Sequence, residues 1–397
     1  MVKILLSDRI QKVKPSSTLA VAAKAAELKA EGKDIIGLGT GEPDFDTPDS
    51  IKQAAINAIH NGATKYTAVD GTASLKSAII SKFKRDNALD YKADQILVSS
   101  GGKQSFFNLC QALLNNGDEV IIPAPYWVSY PDMVLLADAS PVIIETTIEN
   151  QLKITPEQLE QAITDKTKLF VINSPSNPTG VAYNKAELKA LAKVLLKYPH
   201  VLIATDDMYE HIIWADGGFV NILNACPELY NRCIVLNGVS KAYAMTGWRI
   251  GYAAGPSALI KAMKKVQSQS TSNPAAVSQF AAEEALNGDQ SCITEMLNEF
   301  KKRHDYVVSE LNTIEGVRCL ESDGTFYAFP NVSELAQKLG CKDDNELAEY
   351  LIENAGLALV PGSAFGAVGH LRISYAASFD TLKSAITRLR EVASKAY

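Results

Sequence analysis

The sequence predicts an α/β protein with a large domain built on a mostly parallel central sheet and a small α+β domain. Three observations support this fold class: the length of 397 residues, an alternation of apolar strand-length runs with helix-period segments, and a change of pattern near residue 291. At about 150 residues per domain, the length suggests two or three folding units with cores of their own.

Six apolar runs in the middle of the chain are predicted as strands: 95–99, 119–122, 141–144, 168–172, 201–204 and 233–236. Segments between them have helical periodicity, including 104–115, 155–163 and 185–198. Continuous Val, Ile and Leu runs that alternate with helices indicate a parallel sheet covered on both faces. We therefore assign residues 46–290 to the large domain.

The rest of the chain has an α+β pattern. A charged helical stretch over 291–312 is followed by predicted strands at 316–320, 326–329 and 371–374. The amphipathic segment 18–30 is predicted to pack on this part of the protein as a helix. We therefore assign residues 1–45 and 291–397 to a small domain built from both chain ends.

Composition and charge exclude several classes of protein. The chain has 39 Lys and Arg against 45 Asp and Glu, a net charge of −6, which argues against nucleic-acid or anionic-membrane partners. The apolar run at the start breaks at Ser7 and Asp8, and no 18 apolar residues run together, so neither a signal peptide nor a membrane span is predicted. Six cysteines without CxxC pairs or metal-ligand spacing predict reduced thiols, no metal and a cytoplasmic location.

Lys241 lies in a turn that follows a predicted buried strand, and Arg249 comes eight residues later. Burial and neighbouring cations lower the pKa of a lysine, and a neutral amine forms Schiff bases and accepts protons. The guanidinium of Arg249 would supply a planar fork for a phosphate. A solvated lysine and a structural arginine fit this local spacing as well.

Asp206 and Tyr209 follow the apolar run 201–204, at the carboxyl end of a predicted parallel strand, where ligands of open α/β sheets bind. An aspartate in this position can pair with a protonated pyridine nitrogen. We prefer Asp206 to Asp207 because it lies three residues before Tyr209 and can share one face of a helix start with it. Asp207 and Glu210 also fit solvated acids at a helix N-terminus.

Two further turns follow predicted strands. Two Pro, two Asn and one Gly within 173–180 fix a rigid turn around Asn177. Gly101, Gly102 and Lys103 join a strand to a helix start, an arrangement that offers backbone amides to a phosphate. Each segment also fits a purely structural turn.

Trp127 and Arg372 are candidates for contact with a cofactor and a substrate. The indole of Trp127 could stack on a planar cofactor or belong to the core. Arg372 lies within the apolar run 371–374, where an unpaired guanidinium is costly. It needs a carboxylate, which either a distant acid of the chain or a substrate would supply.

Taken together, these motifs resemble the fold-type I aminotransferases that depend on pyridoxal 5′-phosphate (PLP), in particular class I, subgroup Ib, the prokaryotic aspartate aminotransferases. The resemblance is nearly full length and far more specific than any single motif. The segments that carry it, in the family's order, are 14–18, 41–48, 64–67, 101–104, 125–130, 173–180, 206–211, the Lys241 segment, 267–271 and 372–375.

The resemblance implies a role for each matched residue. Lys241 would form the Schiff base with PLP, Asp206 would keep the pyridine nitrogen protonated, and Tyr209 would hydrogen-bond the phenolic oxygen. The implied cofactor-binding residues are Tyr66, Gly101, Gly102, Lys103, Trp127, Asn177, Asp206, Tyr209, Ser240, Lys241 and Arg249. Tyr66 would reach the phosphate from the other subunit of a homodimer, so that both active sites lie at the interface.

The implied substrate-binding residues are Lys14, Gly41, Lys103, Trp127, Asn177 and Arg372. Arg372 would take the α-carboxylate, and Lys103 with segment 14–18 would take the distal one. The implied reaction moves the amino group of L-aspartate to 2-oxoglutarate, giving oxaloacetate and L-glutamate, with prephenate transamination as a further activity. The pyridinium ring supplies an electron sink at Cα, and the freed amine of Lys241 moves the proton.

One position departs from the wider class I pattern. The hydroxyl residue that helps to hold the phosphate three positions before the lysine is Gly238 here. Ser240 or Lys103 would take over that contact. The arginine that animal-type relatives bring from the partner subunit to the distal carboxylate has no clear counterpart. The resemblance to the subgroup implies Lys103 and segment 14–18, including Lys14, in its place.

Two alternatives use the same scaffold. One is an aminotransferase of aromatic amino acids or alanine, or a PLP lyase. The other is a PLP-binding regulator without turnover, which would carry a DNA-binding domain ahead of the fold. Only about 40 residues precede Gly41 and the chain is acidic, which disfavours the regulator.

Overall fold

The computed structural model describes residues 4–396 of the chain. Its helices are α1 (Asp8–Lys12), α2 (Ser17–Ala30), α3 (Asp49–His60), α4 (Ala73–Asn87), α5 (Gly102–Leu113), α6 (Ser129–Leu136), α7 (Pro156–Ala162), α8 (Lys185–Lys197), α9 (Ile222–Ala225), α10 (Ser257–Ser268), α11 (Ala276–Asn287), α12 (Ser291–Leu311), α13 (Ser333–Lys338), α14 (Asp344–Ala355) and α15 (Phe379–Ala393). Its strands are β1 (Ile36–Gly37), β2 (Ile96–Ser99), β3 (Glu119–Pro123), β4 (Ser140–Ile144), β5 (Thr167–Asn173), β6 (Leu202–Asp206), β7 (Cys233–Gly238), β8 (Gly251–Ala254), β9 (Tyr327–Ala328), β10 (Leu357–Ala358), β11 (Val360–Pro361) and β12 (Leu371–Ser374).

The central sheet has seven strands in the order β2-β8-β7-β6-β5-β3-β4. Strands β7, β6, β5, β3 and β4 are parallel, whereas β8 runs antiparallel to both of its neighbours. All six predicted strands occur in this sheet, which confirms the mostly parallel architecture. Strand β8 was not predicted, because two of its four residues are alanine and one is glycine, which favour strands weakly.

Helices cover both faces of the sheet because its strands are apolar on both sides. In β5, Leu169 and Val171 belong to one buried cluster and Phe170 and Ile172 to the other. Helices α5, α6 and α10 contribute to the first cluster, and α3, α4, α8 and α11 contribute to the second. The alternation follows the two-residue period of a strand.

Capping residues explain where several helices begin. The predicted helix 185–198 is α8, and Asn184 and Glu187 form a capping box at its start. Helix α7 begins the same way, with Thr155 as the cap and Pro156 in the first turn. Helix α5 differs, because its N-cap is Gly101, which has a φ of +90° and provides no side-chain cap.

The two ends of the chain meet through short strands. β1 pairs in parallel with β10, and β12 lies between β11 and β9 in an antiparallel sheet. Helix α2 packs against β1, β10 and β11, so the predicted helix 18–30 and its packing are confirmed. The strand predicted at 316–320 is wrong, because only an isolated bridge between Arg318 and Asn331 forms there. The division at residues 45/46 and 290/291 stays a prediction.

No helix within residues 4–396 is long and apolar enough to cross a membrane. All six cysteines are free, and Cys110, Cys226, Cys233 and Cys319 are buried. Among the same described residues, no group of three or more His, Cys, Asp or Glu side chains could hold a metal ion.

Candidate active site

A cavity of about 430 Å³ lies at the carboxyl ends of β5, β6 and β7. Parallel strands end at the same edge of a sheet, so the polar residues that follow them converge there. The predicted site residues that line the cavity are Gly41, Gly102, Lys103, Trp127, Asn177, Asp206, Tyr209, Ser240, Lys241, Arg249 and Arg372. Residues separated by more than 330 positions therefore meet in one place.

Lys241 follows β7 and is half-buried in the cavity wall. Its Nζ donates a hydrogen bond to the carbonyl oxygen of Gly41. Burial, together with the positive charges of Arg372 and Arg249, lowers the pKa of Lys241 to about 8. A substantial fraction of this amine is therefore neutral near pH 8 and able to act as a nucleophile or a base.

Asp206 is the last residue of β6 and faces the cavity. Its Oδ2 accepts a hydrogen bond of 2.5 Å from the hydroxyl of Tyr130, and its Oδ1 accepts one of 3.2 Å from the amide of Met208. The pKa of Asp206 is raised, because burial outweighs these hydrogen bonds and the charge of Lys241, which lower it. The carboxylate is thus held in a fixed orientation towards the cavity.

Asp207, the adjacent acid, is buried away from the cavity. Its Oδ1 accepts a hydrogen bond of 2.6 Å from Thr205, and its Oδ2 accepts one from Asn221. Burial and the nearby charge of Glu210 raise the pKa of Asp207 to about 7. The two neighbouring aspartates therefore have different environments, and only Asp206 is placed to contact a ligand in the cavity.

Two tyrosine hydroxyls meet beside Arg372. The Oη atoms of Tyr209 and Tyr327 are 3.0 Å apart, and the guanidinium of Arg372 lies 4.5 Å from the ring centre of Tyr327. Tyr209 is buried, and burial raises the pKa of its hydroxyl. Both hydroxyls stay protonated near neutral pH and remain able to donate hydrogen bonds.

Arg372 is buried, yet it forms no ion pair with any acid of residues 4–396. It donates hydrogen bonds to Oδ1 of Asn177 at 2.9 Å and to the carbonyl of Gly39 at 2.6 Å, while its Nε has no partner. A buried cation without a counter-ion is costly, and an anion in the cavity would compensate it. No acid of residues 4–396 supplies the carboxylate that Arg372 needs, which leaves a bound substrate as the other predicted source.

Arg249 and the start of α5 converge at the other end of the cavity. A Cβ atom at Gly101 would collide with the guanidinium of Arg249, so only glycine allows this approach. Arg249 donates to the carbonyls of Thr246 and Ser100 at 2.9 and 3.3 Å. The first amides of α5 lack partners within the helix, and with Arg249 they form a cradle suited to a phosphate.

Gly238 is enclosed by backbone atoms. A Cβ atom there would lie 2.9 Å from the carbonyl oxygen of Ile250 and 3.1 Å from Cα of Gly251. A hydroxyl side chain therefore does not fit at this position without a shift of the backbone. Ser240 and Lys103, the two alternatives for the missing contact, both line the cavity.

Trp127 forms a side wall of the cavity. Its ring packs edge to face against Tyr130, with the centroids 5.2 Å apart, and Nζ of Lys103 lies 5.1 Å from its ring centre. Burial and the charge of Arg249 lower the pKa of Lys103. The indole is available to a planar ring, and Lys103 is available to an anion at the cavity mouth.

Residues 33–389 match the family model described as aminotransferase class I and II. The chain belongs to this family. This aminotransferase is 61% identical to the aspartate/prephenate aminotransferase of Nitrosomonas europaea, over 98% of this chain and 100% of that relative. The family and the fold class predicted from the sequence are therefore confirmed.

Solved structures of aspartate aminotransferases are similar over almost their whole length. The protein from Rhizobium meliloti superimposes on this aminotransferase with a TM-score of 0.95 and 48% identity, with 99% of each chain covered. The protein from Thermus thermophilus, solved with maleate, gives a TM-score of 0.92 at 41% identity, over 98% of this chain and 100% of that one.

Three predicted site residues of the aminotransferase do not line the cavity: Gly101, which adjoins it as the N-cap of α5, and Tyr66 and Lys14, which lie farther away. Tyr66 is 91% exposed and lines a separate surface pocket between α3 and α11. Lys14 is exposed as well and lies beside Asp132. The pKa of Asp132 is raised, because burial outweighs the charge of Lys14 and a backbone hydrogen bond, which lower it. Neither Tyr66 nor Lys14 reaches the cavity within one chain, so their roles stay predictions.

Several residues of the aminotransferase site were not predicted. Tyr130 and Tyr327 contact Asp206 and Tyr209, and Leu19 lines the cavity. Ser16 and Thr18 line it too, but they belong to segment 14–18, which was predicted to bind the distal carboxylate. Tyr130 lies three residues after Trp127, a spacing that would have placed both on one face of a turn. Tyr327 gave no signal in the sequence, because it lies in a short apolar strand.

Proposed function

We propose that this aminotransferase moves the amino group of L-aspartate to 2-oxoglutarate, giving oxaloacetate and L-glutamate, with prephenate as a further amino acceptor. The observation that carries the proposal is the buried guanidinium of Arg372, which has no carboxylate partner among residues 4–396 and faces a cavity that Lys103 also lines. Lys241 and Arg249 are assigned to the cofactor. The other two cations that the described residues bring to the cavity, Arg372 and Lys103, are therefore left for the two carboxylates of a dicarboxylic substrate. The names of the relatives, aspartate and aspartate/prephenate aminotransferases, support the same assignment.

The cavity residues fit PLP. Arg249 and the turn at Gly101–Gly102 would hold the phosphate, because a side chain at Gly101 would fill the space that the guanidinium uses. Asp206 would face the pyridine nitrogen, and Lys241 would hold the aldehyde carbon. When bound, PLP supplies the electron sink that stabilises the negative charge left at Cα of the substrate.

The remaining cofactor contacts follow from the lining of the cavity. Asn177 and Tyr209 would donate hydrogen bonds to the phenolic oxygen, and Trp127 would stack on the ring. Ser240 or Lys103 would supply the further phosphate contact that Gly238 lacks. The hydrogen bond from Tyr130 favours the carboxylate form of Asp206, against the burial that raises its pKa.

Proton movement is the task of Lys241. Its Nζ, with a pKa of about 8, accepts the proton from Cα of the bound amino acid as a general base and then donates it within the same site as a general acid. Arg372 holds the α-carboxylate, with Gly41 and Trp127 lining the substrate site, and thereby fixes the Cα–H bond in reach of that amine. Lys103 binds the distal carboxylate, assisted by Lys14.

We propose a homodimer in which Tyr66 contacts the phosphate in the partner's site. Tyr66 stands in solvent and lines one surface pocket with the exposed Phe280 of α11. Ile56 and Ile59 of α3 are exposed as well, and a second copy would cover these apolar side chains. The division into a large domain of residues 46–290 and a small domain of both chain ends is kept as part of this proposal. A cytoplasmic location is kept as well, and the free cysteines support it.

A panel of amino donors with 2-oxoglutarate tests the activity. Holoenzyme should turn over aspartate with release of oxaloacetate, detected by reduction with malate dehydrogenase and NADH, and at least 10-fold faster than alanine or phenylalanine. Aspartate with prephenate as acceptor should also give oxaloacetate. A preference for alanine or aromatic donors, or more than one equivalent of product per active site without an oxo-acid acceptor, would overturn the proposal. Lys241→Ala is the matched control without turnover.

A further inference from the structure

The loop of residues 64–72, here called the Tyr66 loop, is held on its own subunit by two fully buried glutamines. Gln279 accepts a hydrogen bond of 2.8 Å from the amide of Thr72 and donates one of 3.0 Å to the hydroxyl of Thr67. Gln267 donates one of 2.7 Å to the carbonyl of Val69. Tyr66 thus projects into solvent from a fixed backbone.

Gln267 also holds the strand that leads to the phosphate turn, residues 100–103. Its Nε2 donates to the carbonyl of Val98 at 2.8 Å, and its Oε1 accepts from the hydroxyl of Ser99 at 2.8 Å. The same Oε1 accepts from Nδ2 of Asn108, in α5, at 2.9 Å. Both N–H groups and both lone pairs of one carboxamide are therefore in use.

The loop and the strand also touch directly. The amide of Val98 donates to the carbonyl of Asp70 at 3.1 Å, and Gly71 packs so closely on Val98 that a Cβ atom would lie 2.5 Å from it. Asp70 is tied further by Lys76 and Lys264, at 2.7 and 2.8 Å. A displacement of the Gln267 side chain would therefore shift both the Tyr66 loop and the phosphate turn.

We propose that Gln267 is a positioning residue that sets two phosphate contacts from one side chain: the phosphate turn of its own active site and the Tyr66 loop that serves the partner's site. The inference rests on the proposed function, because it uses the cofactor phosphate and the homodimer. Gln279 holds the loop and the carbonyl of Pro274 but no part of the phosphate turn, so it positions the contact in the partner's site alone. The two glutamines therefore form a matched pair, equally buried and differing in what they hold.

The first experiment compares PLP with pyridoxal, which lacks the phosphate. Apoenzymes of the wild type, Gln267→Met and Gln279→Met are titrated with each aldehyde, followed by absorbance. Gln267→Met removes the hydrogen bonds to Val69, Val98, Ser99 and Asn108. It should therefore weaken PLP binding by about 10-fold and leave pyridoxal binding within about twofold of the wild type. Equal weakening of both ligands would show a general loss of structure and overturn the proposal.

The second experiment separates the two sites in hybrid dimers. One subunit carries Lys241→Ala, so the hybrid keeps one site that binds the cofactor covalently, and two different affinity tags isolate it. Gln267→Met should speed PLP loss whether it is in the subunit that owns this site or in the other. Gln279→Met should act only from the other subunit. An effect of Gln267→Met in one arrangement alone would overturn the proposal.

Tyr66→Phe identifies the route of the effect from the other subunit. Added to the subunit that carries Gln267→Met, it should abolish that effect. If the protein is a monomer in solution, or Tyr66→Phe leaves PLP binding unchanged, the dimer part of the proposed function fails, and the ratio of PLP to pyridoxal affinity still tests Gln267 in its own site. If Gln267→Met does not fold, Ser99→Ala replaces it, because it removes one of the two hydrogen bonds to Oε1 and leaves the one from Asn108. Ser99→Ala should lower the same ratio, and an unchanged ratio would overturn the proposal.

Discussion

The buried hydroxyl of Tyr130 donates a hydrogen bond of 2.5 Å to Oδ2 of Asp206, the aspartate that ends β6. Desolvation at this position favours the neutral acid, whereas the hydroxyl stabilises the carboxylate. Tyr130 also packs edge to face on Trp127. One tyrosine therefore fixes both the group assigned to the pyridine nitrogen and the ring assigned to stack on the cofactor.

We expect Tyr130→Phe to raise the pKa of Asp206 and to lower kcat/KM for aspartate by about 10-fold or more, since hydrogen bonds to charged groups contribute about 1.5–3 kcal/mol. Steady-state kinetics of holoenzyme measures the change. Tyr126→Phe removes a hydroxyl from the same segment and should keep wild-type values. Unchanged kinetics in Tyr130→Phe would show that the hydrogen bond has no part in the reaction.

Substitutions of Asp206 and Asp207 should have different effects, the first on turnover and the second on stability. Asp206→Asn removes the carboxylate that faces the cavity, so most turnover should be lost while the fold is retained. Asp207→Asn disturbs the buried contacts to Thr205 and Asn221 and should lower the free energy of unfolding by about 1–3 kcal/mol, with turnover largely kept. Kinetics and thermal unfolding of both variants distinguish the two effects. The opposite ranking would exchange the roles of the two residues.

The sequence allowed the sheet and most of the cavity to be predicted because both depend on local patterns. Apolar runs identified six strands, and the turns after them carried Asn177, Asp206 and Lys241. Strand β8 escaped because its pattern is weak and its antiparallel direction depends on which strands flank it. The segment 316–320 alternates as a strand should, with Val317 and Cys319 buried, but it finds only a single bridge.

Contacts between side chains that are distant in the chain could not be predicted from the sequence. Nothing in the local pattern of Tyr327 indicates that its hydroxyl lies 3.0 Å from that of Tyr209. The same holds for Gln267, whose motif was recognised while its four hydrogen-bond partners come from segments far away in the chain. Tyr66 and Lys14 were placed by resemblance alone, and a single chain does not bring them to the cavity.

The pKa of Lys241 gives a prediction for cofactor uptake. The neutral amine reacts with an aldehyde, so the rate at which apoenzyme takes up PLP should rise with pH through a midpoint near 8 and level off above it. Stopped-flow absorbance measures this rate. Because the charge of Arg372 is one cause of the low value, Arg372→Gln should move the midpoint upwards.

Peptide mapping after borohydride reduction controls for the identity of that amine. Reduction fixes the cofactor to the lysine that carries it, and the label should be found on Lys241. Label on another lysine, or a midpoint that Arg372→Gln leaves unchanged, would contradict the assignment.

Gly238→Ser should destabilise the protein rather than add a phosphate contact. The new Cβ would lie 2.9 Å from the carbonyl oxygen of Ile250. The backbone would have to move to relieve this close contact. The expected loss is about 1–3 kcal/mol in the free energy of unfolding, the usual cost of overpacking. Gly37→Ser, at a position with no atom within 4 Å of the added Cβ, is the control and should unfold like the wild type. Tighter PLP binding in Gly238→Ser would contradict this prediction.

Arg372 and Lys103 should divide the recognition of dicarboxylic substrates. The guanidinium of Arg372 offers a rigid fork to the α-carboxylate that every amino acid has, and lysine lacks this geometry. Arg372→Lys should therefore lower kcat/KM for aspartate, glutamate and alanine alike. For about 2–3 kcal/mol of lost charge-assisted contact, the decrease is roughly 30- to 150-fold.

Lys103→Ala should lower kcat/KM for aspartate and glutamate while alanine, which has no distal carboxylate, is little affected. The ammonium group is a point charge on a flexible stem, so it tolerates the different lengths of the two acidic substrates. Lys103 adjoins the phosphate turn, so retained cofactor is measured by absorbance before the kinetics. Lys14→Ala should have the same selectivity with a smaller effect, because Lys14 lies beside Asp132 outside the cavity. If both lysine variants kept the wild-type ratio of aspartate to alanine turnover, a different group would have to bind the distal carboxylate.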